Sequence, residues 1–136
     1  MAEKIEVATD LLLTPVIISD RNGTNVGVAF LNANDIRIPA RVSEIIDYMK
    51  SIDVDNCSYE ALNHYNEMLE DKFCGLFGYD CRRSLFCILS PTNICNGKFV
   101  AILILEKVME ALSDDIKAKA AKRTEIISKY VTPQTE

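Results

Sequence analysis

Apolar positions along the chain form short unbroken runs in some stretches and a helical spacing in others. Residues 11–18, "LLLTPVII", and 26–31, "VGVAFL", are brief and rich in β-branched side chains, the pattern of two strands. Between them "SDRNGTN" carries Asn22-Gly23, a dipeptide that tolerates the positive φ of a tight hairpin. Pro15 has no N–H to give to a ladder, so the first strand is expected at a sheet edge or bulged there. "DIRIP" (35–39) reads as a further short strand ended by Pro39. Residues 84–91, "SLFCILSP", read as a strand, "TNICNG" as its turn, and 98–106, "KFVAILILE", as a returning strand. The unbroken apolar character of this last run predicts cover on both faces of the sheet.

Elsewhere the spacing is helical. Val42, Ile45, Ile46 and Met49 stand at i, i+3, i+4 and i+7, one face of a helix. "IDVDNC" reads as a loop. Ser58 is placed to cap a second helix, "YEALNHYNEML", with Leu62, Tyr65 and Leu69 inward. Residues 70–81, "EDKFCGLFGYDC", contain two glycines and read as a long connection held down by Phe73, Phe77 and Tyr79. Ser113 is the expected N-cap of a terminal helix, with Asp114 and Asp115 complementing its dipole. Leu112, Ile116, Ala120, Ile127 and Tyr130 form its inward stripe, and the tail beyond is expected to fray. The two Asn-Gly ribbons lie too far apart for a solenoid repeat, and the helices between them have no second copy. The expectation is a single α+β domain over residues 1–136, an antiparallel sheet of about five to six strands with helices on its faces.

Composition narrows the function classes. The 136 residues carry a formal charge of −5, with no basic block, which argues against binding a phosphate backbone. No apolar run is long enough to span a bilayer, and the N-terminal decapeptide lacks the layout of a signal peptide, so a cytoplasmic setting without membrane contact is expected. The five cysteines include no Cys-x-x-Cys pair and are accompanied by one histidine, His64, so no metal site is expected. They read as free thiols of a reducing compartment, with Cys87 a small core hydrophobe inside a strand.

Residues 78–107, "GYDCRRSLFCILSPTNICNGKFVAILILEK", resemble a GAF domain, the small-molecule sensory module of cyclic-nucleotide phosphodiesterases and other signalling proteins. The likeness lies in a Gly-Tyr approach, a Ser-Leu-(apolar)-Cys strand, a Pro, an Asn-Gly turn and a closing strand that ends near a Lys. It implies a GAF/PAS-like sheet and a ligand pocket between that sheet and the 41–70 helices. Ser43, Ile46, Arg82, Ser84, Glu106, Lys107 and Asp115 are the residues this resemblance would place at the ligand. Arg82 offers a planar donor fork suited to phosphate or carboxylate. In the cyclic-nucleotide branch a Lys and an Asp form a salt bridge, positions that Lys107 and Asp115 match, while Glu106 replaces that branch's Asn. A cyclic nucleotide is therefore the one cofactor-like ligand implied. Lys107 and Asp115 also read as an ordinary exposed pair, and Arg82-Arg83 as solvated charges.

The resulting expectation is a non-enzymatic regulatory module that binds a small ligand or dimerises through its terminal helix, where Ala118, Ala120 and Ala121 allow close approach. The alternative is a degenerate interaction module with no ligand, meeting a second copy or a larger protein partner. A further alternative is a reductase of free methionine sulfoxide, chemistry found on one group of GAF folds, using Cys74, Cys81 and Cys87. His64 has no Ser, Cys or Asp partner at motif spacing, and no catalytic residue is assigned.

Overall fold

The computed structural model describes residues 5–117 other than positions 10, 54, 113 and 115. Its first element is the expected hairpin. Strand β1 (Thr14–Ser19) pairs antiparallel with β2 (Asn25–Leu31), in a register that sets Val16 against Ala29 and Thr14 against Leu31. Asp20 organises the turn: its Oδ1 accepts from the N–H groups of Asn22 and Thr24, both at 2.9 Å. Gly23 then takes φ +80°, the left-handed conformation for which the Asn-Gly signal argued. Val16, Ala29 and Leu31 point inward and are buried, while Ile17 and Phe30 face outward and are about half exposed.

The short strand expected at 35–39 is absent. Asp35 instead accepts from the Arg37 N–H at 2.9 Å, a turn that feeds directly into helix α1 (Ile38–Lys50). Pro39 lies in the first helical turn, where its fixed φ is compatible and its missing N–H costs nothing. Ile38, Val42, Ile45 and Met49 are the buried stripe of α1. Ser58 caps helix α2 (Tyr59–Phe77), its hydroxyl accepting from the Ala61 N–H at 3.1 Å. This helix runs through most of the stretch read as a connection. Leu69, Phe73, Leu76 and Phe77 are buried at helical spacing, and Gly78 closes the helix at φ +83° with its N–H on the Cys74 carbonyl.

Nor is there a sheet of five to six strands among the described residues, where the two ribbons belong to separate two-stranded sheets. In place of a strand at 84–91 stands one helical turn, α3 (Arg82–Leu85), followed by irregular chain. The outer edge of β2, where a third strand would have paired, is already used. Phe30 donates its N–H to the Tyr79 hydroxyl at 2.9 Å, and Cys87 donates its thiol to the Val26 carbonyl at 3.0 Å. Cys87 is thus an exposed edge-capping group rather than a core residue.

The second Asn-Gly signal also marks a real turn, with Asn96 at φ 54° and Gly97 at φ 76°. Its strands, however, are only β3 (Ile94–Cys95) and β4 (Lys98–Phe99). The apolar run beyond them is helix α4 (Val100–Ala111), not a strand. Its N–H groups at Val100 and Ala101 find the carbonyls of Asn93 and Pro91, at 2.7 and 3.0 Å. The turn loop therefore supplies the acceptors that a helix N-terminus requires. Val100, Ala101, Ile104, Leu105 and Val108 are buried, a helical spacing within a run too apolar for its period to stand out.

The core lies between the inner face of the hairpin and helices α1, α2 and α4. Leu112 and Ile116 extend it, and positions 113, 115 and 118 onward of the expected terminal helix lie outside the described residues. No described helix is long and apolar enough to cross a membrane.

Two outcomes follow from this packing. A Cβ added at Gly27 would lie 2.4 Å from the backbone oxygen of Leu85, so Gly27→Ala is expected to cost about 2 kcal/mol in chemical denaturation. The Arg37 guanidinium, hydrogen-bonded to Asp35, holds that carboxyl below the usual carboxylate range. A depressed folded-state pKa contributes stability above the unfolded value and loses it as pH falls through the folded one. The stability difference between the wild type and Asp35→Asn should therefore be constant near neutrality and shrink below about pH 4, as read by thermal melts across pH.

Candidate functional site

Among the described residues, one of the hairpin's two edges is closed and the other carries no strand. Val26 and Phe30 aim their backbone groups away from β1, toward Cys87 and Tyr79. Strand alternation then makes Pro15–Phe30 and Ile17–Val28 the non-hydrogen-bonded pairs of the ladder. The backbone groups of Pro15 and Ile17 consequently point outward, to the side where no described strand pairs with β1. Pro15 sits where it has no ladder partner to fail, which is how an edge strand accommodates it.

Beside this open edge runs one flank of α4. The cleft between them has a volume of about 320 Å³. Ile17, Ile18, Leu89, Val100, Leu103 and Ile104 give it mainly apolar walls. Ser19, Asn96, Glu106 and Lys107 supply its polar positions. Immediately before β1 the chain exposes three consecutive leucines, Leu11, Leu12 and Leu13 at 50%, 83% and 51%. A contiguous apolar strip of this kind on a protein surface marks an interaction site more often than chance exposure does.

The residues that the family resemblance grouped at one ligand are distributed over several places. Glu106 and Lys107 both border the cleft beside β1, where Glu106 accepts from Lys98 at 2.8 Å and Lys107 donates to Glu110 at 3.2 Å. Glu106 also borders a second cleft, of about 390 Å³, between α1 and α4, and there it meets Ile46. Ser43 is exposed on α1 and borders neither cleft. Arg82 is ion-paired with Asp71 on α2, so its guanidinium is engaged within the fold. Ser84 donates its hydroxyl to the Cys81 carbonyl at 3.2 Å, a bond within α3 and its cap. Asp115 lies outside the described residues.

Sequence reasoning did not single out Ile17, Val100 or Leu103. The available signal was Pro15, which marks β1 as an edge and so implies unpaired backbone alongside it. No family model matches this chain, and no curated protein or solved structure matches it.

Proposed function

We propose that this chain is a non-enzymatic protein-interaction module whose cleft beside β1 receives an extended, apolar segment of a partner polypeptide. The observation that carries the reading is the union of an open strand edge with an apolar wall. The Ile17 backbone offers a donor and an acceptor, and the facing flank of α4 offers Val100, Leu103 and Ile104. Added strands take affinity from the main chain and selectivity from pockets for alternate side chains. A segment of about four residues, at about 3.3 Å per residue, matches the length of edge from Pro15 to Ser19. The two charged groups at the cleft, Glu106 and Lys107, are held in internal ion pairs with Lys98 and Glu110, which leaves apolar contact as the main source of recognition. The floor that the family resemblance implied for a cyclic-nucleotide pocket, one broad sheet, is not found among the described residues, so the small-ligand reading has less support than the interaction reading.

The test is a selection of random peptides displayed on phage against the full chain, followed by fluorescence anisotropy with the enriched peptides. Enrichment of peptides with alternating apolar residues is expected. Ile17 is 53% exposed, so Ile17→Asp should preserve the fold while weakening peptide binding at least tenfold, about 1.4 kcal/mol. No enrichment, or binding that Ile17→Asp leaves unchanged, would overturn the proposal. So would a wild-type dimer in light scattering that Ile17→Asp converts to monomer, because a second copy would then be the occupant.

A further inference from the structure

Two thiols at the end of α2 stand apart from the cleft and have no part in the proposed interaction. Cys74 lies in the last turn of that helix, and Cys81 follows its left-handed cap at Gly78. Their Sγ atoms are 4.0 Å apart, in van der Waals contact, and neither forms a disulfide. The two differ sharply in access: Cys81 is fully buried, whereas Cys74 is partly exposed. Cys74 also donates its thiol toward Asp80 Oδ1 at 3.6 Å, a contact that fixes where its sulfur sits.

We propose that Cys74 and Cys81 form a redox-modifiable pair, in which Cys74 reacts with a hydroperoxide and Cys81 then closes a disulfide. In the first step the Cys74 sulfur attacks one oxygen of hydrogen peroxide. The O–O bond breaks, a sulfenic acid forms on Cys74, and hydroxide leaves to become water with the thiol's proton. In the second step the Cys81 sulfur attacks the Cys74 sulfur. The S–S bond forms, the S–O bond breaks, and a second water departs with the Cys81 proton. Two electrons pass from the two thiols to one peroxide, which balances both steps.

Closing the pair requires the sulfurs to approach from 4.0 Å to about 2.05 Å. Burial, together with the neighbouring Cys74, pushes the Cys81 thiol up to about 12. Burial also shields Cys81 from outside reagents, so the order of events is set by access and by the contact itself. The disulfide would staple the end of α2 to the segment that carries Tyr79, whose hydroxyl closes the β2 edge at Phe30. Oxidation therefore acts on the anchoring of the hairpin.

The sequence supplies a direct assay. Cleavage after Lys72 and Arg82 releases residues 73–82, "FCGLFGYDCR", a peptide that holds these two cysteines and no other. After the folded full chain is treated with hydrogen peroxide and blocked with an alkylating agent, this peptide is expected to be lighter by two hydrogens and unalkylated. A reducing agent should restore two alkylated cysteines. In Cys81→Ala, Cys74 is expected to stop at a sulfenic acid that dimedone captures, and in Cys74→Ala, Cys81 should remain a free thiol. Oxidised wild type should melt higher than reduced wild type, whereas the two variants should show no such shift. If 73–82 stays fully alkylated at peroxide concentrations that oxidise the exposed Cys87, or if Cys74 crosslinks to another cysteine instead, the pair is not a redox site.

Discussion

A two-stranded ribbon cannot hold itself together in water, because it has one face to bury and no neighbouring strands to share the work. The architecture here follows from how β1 and β2 are supported. Their inner face, Val16, Ala29 and Leu31, is covered by the helices, and the helices in turn bury their own stripes against it. Support also comes sideways. Gly27 lets the α3 backbone approach β2 at Leu85, and Tyr79 and Cys87 occupy the backbone groups that would otherwise call for a third strand. The ribbon is therefore fixed from beneath and from one flank, and its other flank is left as the feature that distinguishes the molecule.

Local signals with a steric mechanism were legible in the sequence. Both Asn-Gly turns are real, Ser58 is the N-cap of α2, and the stripe of α1 is buried largely as its spacing indicated. What was hidden depended on competition between equally apolar alternatives. From Phe99 to Leu105 every residue is hydrophobic, so neither a two-residue nor a 3.6-residue period can be extracted from that run alone. The helical period shows only over a longer span, where Val100, Ile104 and Val108 are spaced four apart and all buried. Residues 70–77 were obscured in a different way: Gly75 suggested a break, yet the Phe73, Leu76 and Phe77 anchors outweigh the modest cost of one glycine inside a helix.

The site was less legible than the fold, because it is made where distant segments meet. Ile17 and Leu103 are ordinary apolar residues in sequence, and their relation appears only once α4 is set beside β1. The residues grouped by family resemblance presumed one continuous sheet beneath them. Without that sheet, Arg82 turns to Asp71, Ser84 to its own helical turn, and Ser43 to solvent.

Pro15 has a consequence for how tightly anything can be held beside it. A visiting strand would meet one backbone donor fewer than an unblunted edge provides, so continuous ladder growth stops within a few residues. Retention must then rest on how well side chains fit the wall of α4. The same missing donor blunts the edge against the open-ended strand pairing from which fibrils grow.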